Sequence, residues 1–143
     1  MQRRIARNAG FTLIEVMVVV VILAILAAVV VPKVMEKPGE ARMKRAHADI
    51  ASIATALNMY KIDNFNYPST EQGLQALVQK PAGQPDAPNW AKGGYLPNMP
   101  KDPWGREYLY LHPGTHSDTD IYTLGADGRS GGEGENADIG NWE

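Results

Sequence analysis

The chain has 143 residues, 14 basic and 16 acidic side chains, a net charge of −2 and no cysteine. That length allows one domain with an appendage but not two ordinary domains. The charge balance argues against a nucleic-acid binder, and the missing cysteines exclude disulfides, thiolate metal sites and cysteine nucleophiles.

Hydrophobic residues make up 44% of the chain although the mean hydropathy is −0.29, so the apolar residues must be concentrated in one place. They are concentrated in residues 11–31, FTLIEVMVVVVILAILAAVVV, which follow a basic start carrying Arg3, Arg4 and Arg7. As a helix this run would be about 30 Å long, the thickness of a bilayer's hydrocarbon core. A secretory signal would explain the arginines and could be cut near Ala27-Ala28, but its apolar region is usually about 7–15 residues long. Length therefore favours a retained membrane helix. Basic residues lie on both sides of the run, so charge leaves its orientation open. Glu15 is the exception within it. A carboxylate in hydrocarbon is a functional candidate, while a place near a helix N-terminus would make it an ordinary interfacial group.

Beyond Pro32, Met43, Ala46, Ile50, Ile53, Leu57 and Tyr60 recur at steps of three and four, the stripe of an amphipathic helix. A proline inside a helix kinks it without having to end it, so residues 11 to about 61 read as one long bent helix. Ser69 and Gln72 form a capping box that predicts a small helix over residues 70–79, stopped by Pro81. A loop follows to Pro100, then Asp102-Pro103-Trp104-Gly105 in the order of a type I turn. Residues 107–111 and 120–124 read as two strands joined through Pro113 and Gly114. The aromatic residues, with only two phenylalanines among them, are expected to supply the core. The end of the chain from Gly125 is glycine-rich and acidic.

No enzymatic constellation is visible. His47, His112 and His116 have no metal-ligand spacing, and neither a nucleophile elbow nor a phosphate loop occurs. The acidic loop 127–138 has carboxylates at its first and twelfth positions and glycine at its sixth, as an EF-hand does. Arg129 and Gly131 occupy ligand positions and no helices flank it, so it is not an EF-hand. An irregular oxygen-ligand cation site and a solvated acidic turn both fit its composition.

The junction Gly10-Phe11-Thr12-Leu13-Ile14-Glu15, after a short basic leader and before an apolar run, resembles the class III signal of type IV pilins and pseudopilins. Tyr60 to Asn64, Tyr67 to Thr70, Gln72-Gly73-Leu74, Asp102 to Gly105 and Asp138 to Trp142 extend the resemblance to the major pseudopilins of type II secretion systems. It implies an α+β, type IV pilin-like fold: a long N-terminal helix, half in the membrane and half amphipathic, on a small antiparallel sheet with a calcium-binding C-terminal loop. It implies a leader, residues 1–10, cleaved by prepilin peptidase between Gly10 and Phe11, with Phe11 then N-methylated. Residues 11–31 would form the transmembrane and filament-core helix, and residues 32–143 the periplasmic domain. Glu15 takes the place of the family's assembly residue. Asp127 and Asp138 take the place of side-chain calcium ligands, and Leu124 and Arg129 of carbonyl ligands. Ala137 falls where some relatives carry a second aspartate, with Asn136 as the substitute.

The implied function is that of a non-enzymatic subunit of a periplasmic filament that drives export of folded proteins across the outer membrane. Its implied partners are further copies of itself, minor pseudopilins, prepilin peptidase, the inner-membrane assembly platform and inner-membrane lipid, with no nucleic acid. The competing readings are a type IV pilin of a surface fibre, whose usual C-terminal cysteine pair is missing, and a soluble periplasmic binding protein released from an ordinary signal peptide.

Overall fold

The computed structural model describes residues 10–143, with the side chains of 29–37 outside that description. Nearly all of the leader, and part of the membrane span and of the bend at Pro32, therefore lie outside the described residues. The chain divides into two compact units, Met1–Pro38 and Gly39–Glu143.

One helix, α1, spans Leu13–Asn64. It starts on a cap: the Glu15 N–H lies 3.1 Å from the Thr12 carbonyl and 3.3 Å from the Thr12 hydroxyl. Thr12 thereby satisfies a donor that has no partner inside the helix. In the first unit the apolar side chains from Val16 to Leu26 are each at least half exposed. Among the described residues no helix is long and apolar enough to cross a membrane.

In the second unit α1 buries the stripe read from the sequence. Ala46, Ile50, Ile53, Ala56, Leu57 and Tyr60 form one side of the core. The helix ends at Asn64, whose side-chain amide donates to the Tyr60 carbonyl and the Tyr95 hydroxyl. Phe65 follows at φ +66°, a left-handed cap position more often given to glycine.

The small helix expected over 70–79 is instead one turn followed by a 3-10 segment, Leu74–Leu77. The capping box itself forms, with Gln72 N–H donating to Ser69 Oγ and Ser69 N–H to Gln72 Oε1. Gly73, at φ +62° and ψ −172°, then takes the backbone out of the α region.

The two expected strands are present but shorter. Strand β1 is Leu109–Leu111 and β2 is Asp120–Thr123; a third, β3 (Ile139–Gly140), comes from the stretch read as irregular. They form an antiparallel sheet in the order β1-β2-β3. Ile121 and Ile139 enter the core, as do Tyr108 and Tyr110, which lie at or just before β1. Tyr108 donates to Asp49 of α1, and Tyr110 to the Pro68 carbonyl. Burial, and then the Asp49 carboxylate, push the Tyr108 phenol well above its ordinary range, so it remains a donor.

Candidate functional site

The residues singled out in the sequence fall in two places. At the N-terminus, Gly10 and Phe11 precede α1, and Phe11 is 84% exposed. Among the described residues no atom lies within 4 Å of where a Gly10 side chain would start. Glu15 sits in the first turn of α1, exposed, three residues after its capping threonine. A carboxylate there is favoured by the helix dipole.

The second place is the loop between β2 and β3. Its neck is closed by Ala126 N–H donating to the Glu135 carbonyl at 2.7 Å. Gly125 (φ +63°) lies so close to this closure that a side chain would come within 2.6–2.7 Å of the 135–137 backbone. Asp127 accepts from the Arg129 N–H at 3.0 Å, folding its own turn. Asp138 reaches back across the loop, where its Oδ2 accepts from the Gly131 N–H at 2.9 Å and the Ser130 hydroxyl at 3.3 Å.

Asp138 Oδ1 is buried and has no hydrogen-bond partner among the described residues. A buried carboxylate oxygen left alone is costly, so this atom calls for a cation or donor from outside the chain. The donor set, carboxylates with free backbone carbonyls, suits a hard cation such as calcium. Among the described residues no three His, Asp or Glu side chains cluster around a common point. Any cation here would therefore need further oxygen from backbone carbonyls, hydroxyl or amide side chains, or water. Leu124 and Arg129 lie in the loop, and neither carbonyl accepts a hydrogen bond among the described residues. Asn136 is exposed and its side chain makes no hydrogen bond among the described residues.

Two supports of this loop were not legible in the sequence. Arg106 donates to the Gly125 and Ala126 carbonyls and lies 3.8 Å from Asp102. Asp102, buried, accepts from the Trp104 and Arg106 N–H groups and from the Thr123 hydroxyl. Together they tie the start of the loop to the Asp-Pro-Trp-Gly turn. On the loop's other limb, Glu135 lies against Gly39 and 3.6 Å from Arg42 of α1. A side chain at Gly39 would meet only the Glu135 carboxylate, the end of a flexible, partly exposed side chain that is free to shift.

The neighbouring loop, 112–120, is organised by Asp120. This buried carboxylate accepts from the backbone of Thr115, His116 and Ser117, from the Thr115 hydroxyl and from the His116 ring. Burial alone would raise its pKa, but hydrogen bonds from His116, Thr115 and Ser117 prevail and hold it well below the usual carboxylate range. His116 also stacks on Trp142, with ring centroids 4.0 Å apart.

Known proteins match this sequence along its whole length. The family profile described as type II secretion system (T2SS), protein G, matches residues 33–142, and the prokaryotic N-terminal methylation motif matches residues 5–31. The chain is 61% identical to the type II secretion system core protein G of Pseudomonas aeruginosa, over 100% of this chain and 99% of that protein. It is 53% identical to the protein of the same name from Vibrio cholerae, over 98% and 95%. Its fold is similar to the crystal structure of the major pseudopilin from the type 2 secretion system of enterohaemorrhagic Escherichia coli. There the TM-score is 0.67 at 44% identity, covering 76% of this chain and 92% of that one. With its pilin-like α+β fold and its N-terminal motif, the chain belongs to the type II secretion system protein G family of pseudopilins.

Proposed function

We propose that the chain is the major structural subunit of a type II secretion pseudopilus, anchored in the inner membrane, with its Gly39–Glu143 unit in the periplasm. Prepilin peptidase cleaves between Gly10 and Phe11 and methylates the new N-terminus. Losing Arg3, Arg4 and Arg7 takes the net charge from −2 to −5. The mature subunits assemble through their apolar helical segments, alongside minor pseudopilins and the inner-membrane assembly platform. The observation that carries this reading is the use of one helix in two ways. Its capped N-terminal part exposes an apolar sleeve led by Glu15, whereas its second part buries an apolar stripe in the domain core.

In this reading the Phe11 ammonium of one subunit neutralises Glu15 of a neighbour. That pairing removes the cost of an isolated carboxylate in an apolar filament core. Glu15→Leu should therefore insert normally and leave the domain intact while abolishing filaments and secretion. Wild-type filament yield from this variant would refute the role.

We also propose that the C-terminal loop takes calcium. Asp138 and Asp127 would supply carboxylate oxygens, and Leu124 and Arg129 carbonyl oxygens; Asn136 is the weakest member of the set because the fold leaves it exposed. Bound calcium supplies charge neutralisation and multiple oxygen coordination. The chain's own part is to close the neck through Ala126 and Glu135 and to hold the first limb through Arg106.

A further inference from the structure

The carboxyl group of an aspartate can be attacked by the main-chain nitrogen of the residue that follows it, and the fold sorts the eight aspartates by how open they are to this. Asp102 is excluded because Pro103 has no N–H to give up. Asp49 and Asp63 lie in α1, whose geometry commits the next nitrogen to a carbonyl one turn back. Asp120 and Asp138 are followed by the strand residues Ile121 and Ile139, which are buried. Asp86 and Asp118 are followed by Ala87 and Thr119, which are buried as well. Only Asp127 is left.

Asp127 differs from the others on each count. It is exposed, and the residue after it, Gly128, has no side chain to shield its nitrogen. The Gly128 N–H donates to no acceptor among the described residues. Gly128 stands at φ +67°, a left-handed conformation that glycine takes freely and a residue with a shielding side chain does not. The 3.0 Å bond from the Arg129 N–H to Asp127 Oδ1 closes a ring that contains the Gly128 nitrogen and folds the carboxyl group toward it. The Arg106 guanidinium lies 2.9 Å from where a Gly128 side chain would start. A positive charge at that place favours the negative charge that develops during attack.

We propose that Asp127–Gly128 is a self-modification site, at which the loop isomerises to isoaspartate, and that a cation on Asp127 holds the reaction back. The Gly128 nitrogen bonds to Asp127 Cγ while the carboxyl hydroxyl and the amide proton leave together as water, which gives a cyclic imide. Water then adds to the main-chain carbonyl of the imide, and the bond from that carbon to the nitrogen breaks. Nothing is oxidised or reduced, and the net mass is unchanged. The main chain now runs through Asp127 Cβ and Cγ, one carbon longer, and the carboxylate sits directly on Cα. It loses both the turn to Arg129 and the position of a cation ligand. A hard cation held by the carboxylate oxygens fixes the group and opposes the departure of either oxygen. A subunit loaded early therefore keeps its loop, and one left empty ages. The part given to the cation rests on the calcium reading; the isomerisation does not.

The test keeps the full chain in detergent micelles at neutral pH for weeks, in heavy-oxygen water, with calcium or with chelator. Each passage through the imide leaves a solvent oxygen on residue 127, read by peptide mass spectrometry, and electron-driven fragmentation tells isoaspartate from aspartate. In chelator, Asp127 should take up label at least about tenfold faster than any other aspartate. The aged chain should lose the calcium-dependent rise in melting temperature that the fresh chain shows. Asp127→Glu, at an exposed position and requiring a larger imide ring, should stay unlabelled and melt after ageing as it did when fresh. Calcium should slow the labelling of the wild type. Labelling of Asp127 no faster than that of the other aspartates would overturn the site. Equal labelling in calcium and in chelator, in a chain whose fresh melting responds to calcium, would overturn the protection. Fresh melting that ignores calcium would refute the calcium reading instead, and labelling in chelator would still decide the site.

Discussion

The two units of the chain use the same kinds of residue for opposite ends. In the described part of the first unit, valine, isoleucine and leucine surround the helix on every side and each is at least half exposed; in Gly39–Glu143 Ile50, Ile53 and Leu57 form one buried stripe of α1, with Ile62 left exposed outside it. The polar groups differ in parallel. Glu15 stands exposed at a helix start, whereas Asp102 and Asp120 are buried and supplied with donors by their own loops. A unit that keeps its apolar groups inside is stable by itself. A segment that shows them on all sides needs a second apolar phase, either lipid or other copies.

This contrast is broken most severely from within the second unit. Leu57→Ala removes a side chain that is 1% exposed and should destabilise the domain by about 2–5 kcal/mol in denaturant melts, with or without calcium. Asp120→Ala should cost about 1–3 kcal/mol, because the Thr115, His116 and Ser117 donors lose their shared acceptor. The Asp120 contribution also carries a pH signature. Its folded pKa is depressed, so the stabilisation is complete above the unfolded aspartate value of about 3.9 and is lost as pH falls from there through the folded value. The stability gap between wild type and Asp120→Asn should thus shrink as pH falls below about 4.

The cation loop should respond more mildly and only conditionally. With a Kd on the order of 10⁻⁴–10⁻³ M, about 10 mM calcium should stabilise the domain by roughly 1.4–2.7 kcal/mol. Asp138→Ala should bring the melting temperature in calcium down to that of the wild type in chelator. Equal melting of the wild type in calcium and in chelator would leave the loop as a solvated turn. The smallest effect on the domain belongs to Glu15→Leu. Its melting should match wild type within about 0.5 kcal/mol although filaments are lost, the pattern of an exposed substitution outside the folded unit.

Legibility in the sequence follows the same division. The stripe from Met43 to Tyr60 was readable because helical period and burial coincide over several turns. The Ser69–Gln72 box was readable too, but the α-helix expected after it was not built, since Gly73 adopts a conformation that pattern does not reveal. Strand β3 was invisible because two residues have no periodicity; register against Thr123 and Tyr122 makes it a strand. The acid-rich loop drew notice through composition. Its actual supports, Arg106, Asp102 and Arg42, come from distant parts of the sequence, and only the fold brings them to it. Asp120 was missed for a related reason, since a buried carboxylate and a solvated one look alike in a sequence.

The mass of the mature N-terminus, determined with and without prepilin peptidase in the same cells, tests the central claim most directly. The account predicts a chain that begins at Phe11 and carries one added methyl group when the peptidase is present, and an intact leader when it is absent. A mature chain that begins near Ala27 or Ala28, or one cut identically in both cells, would contradict it.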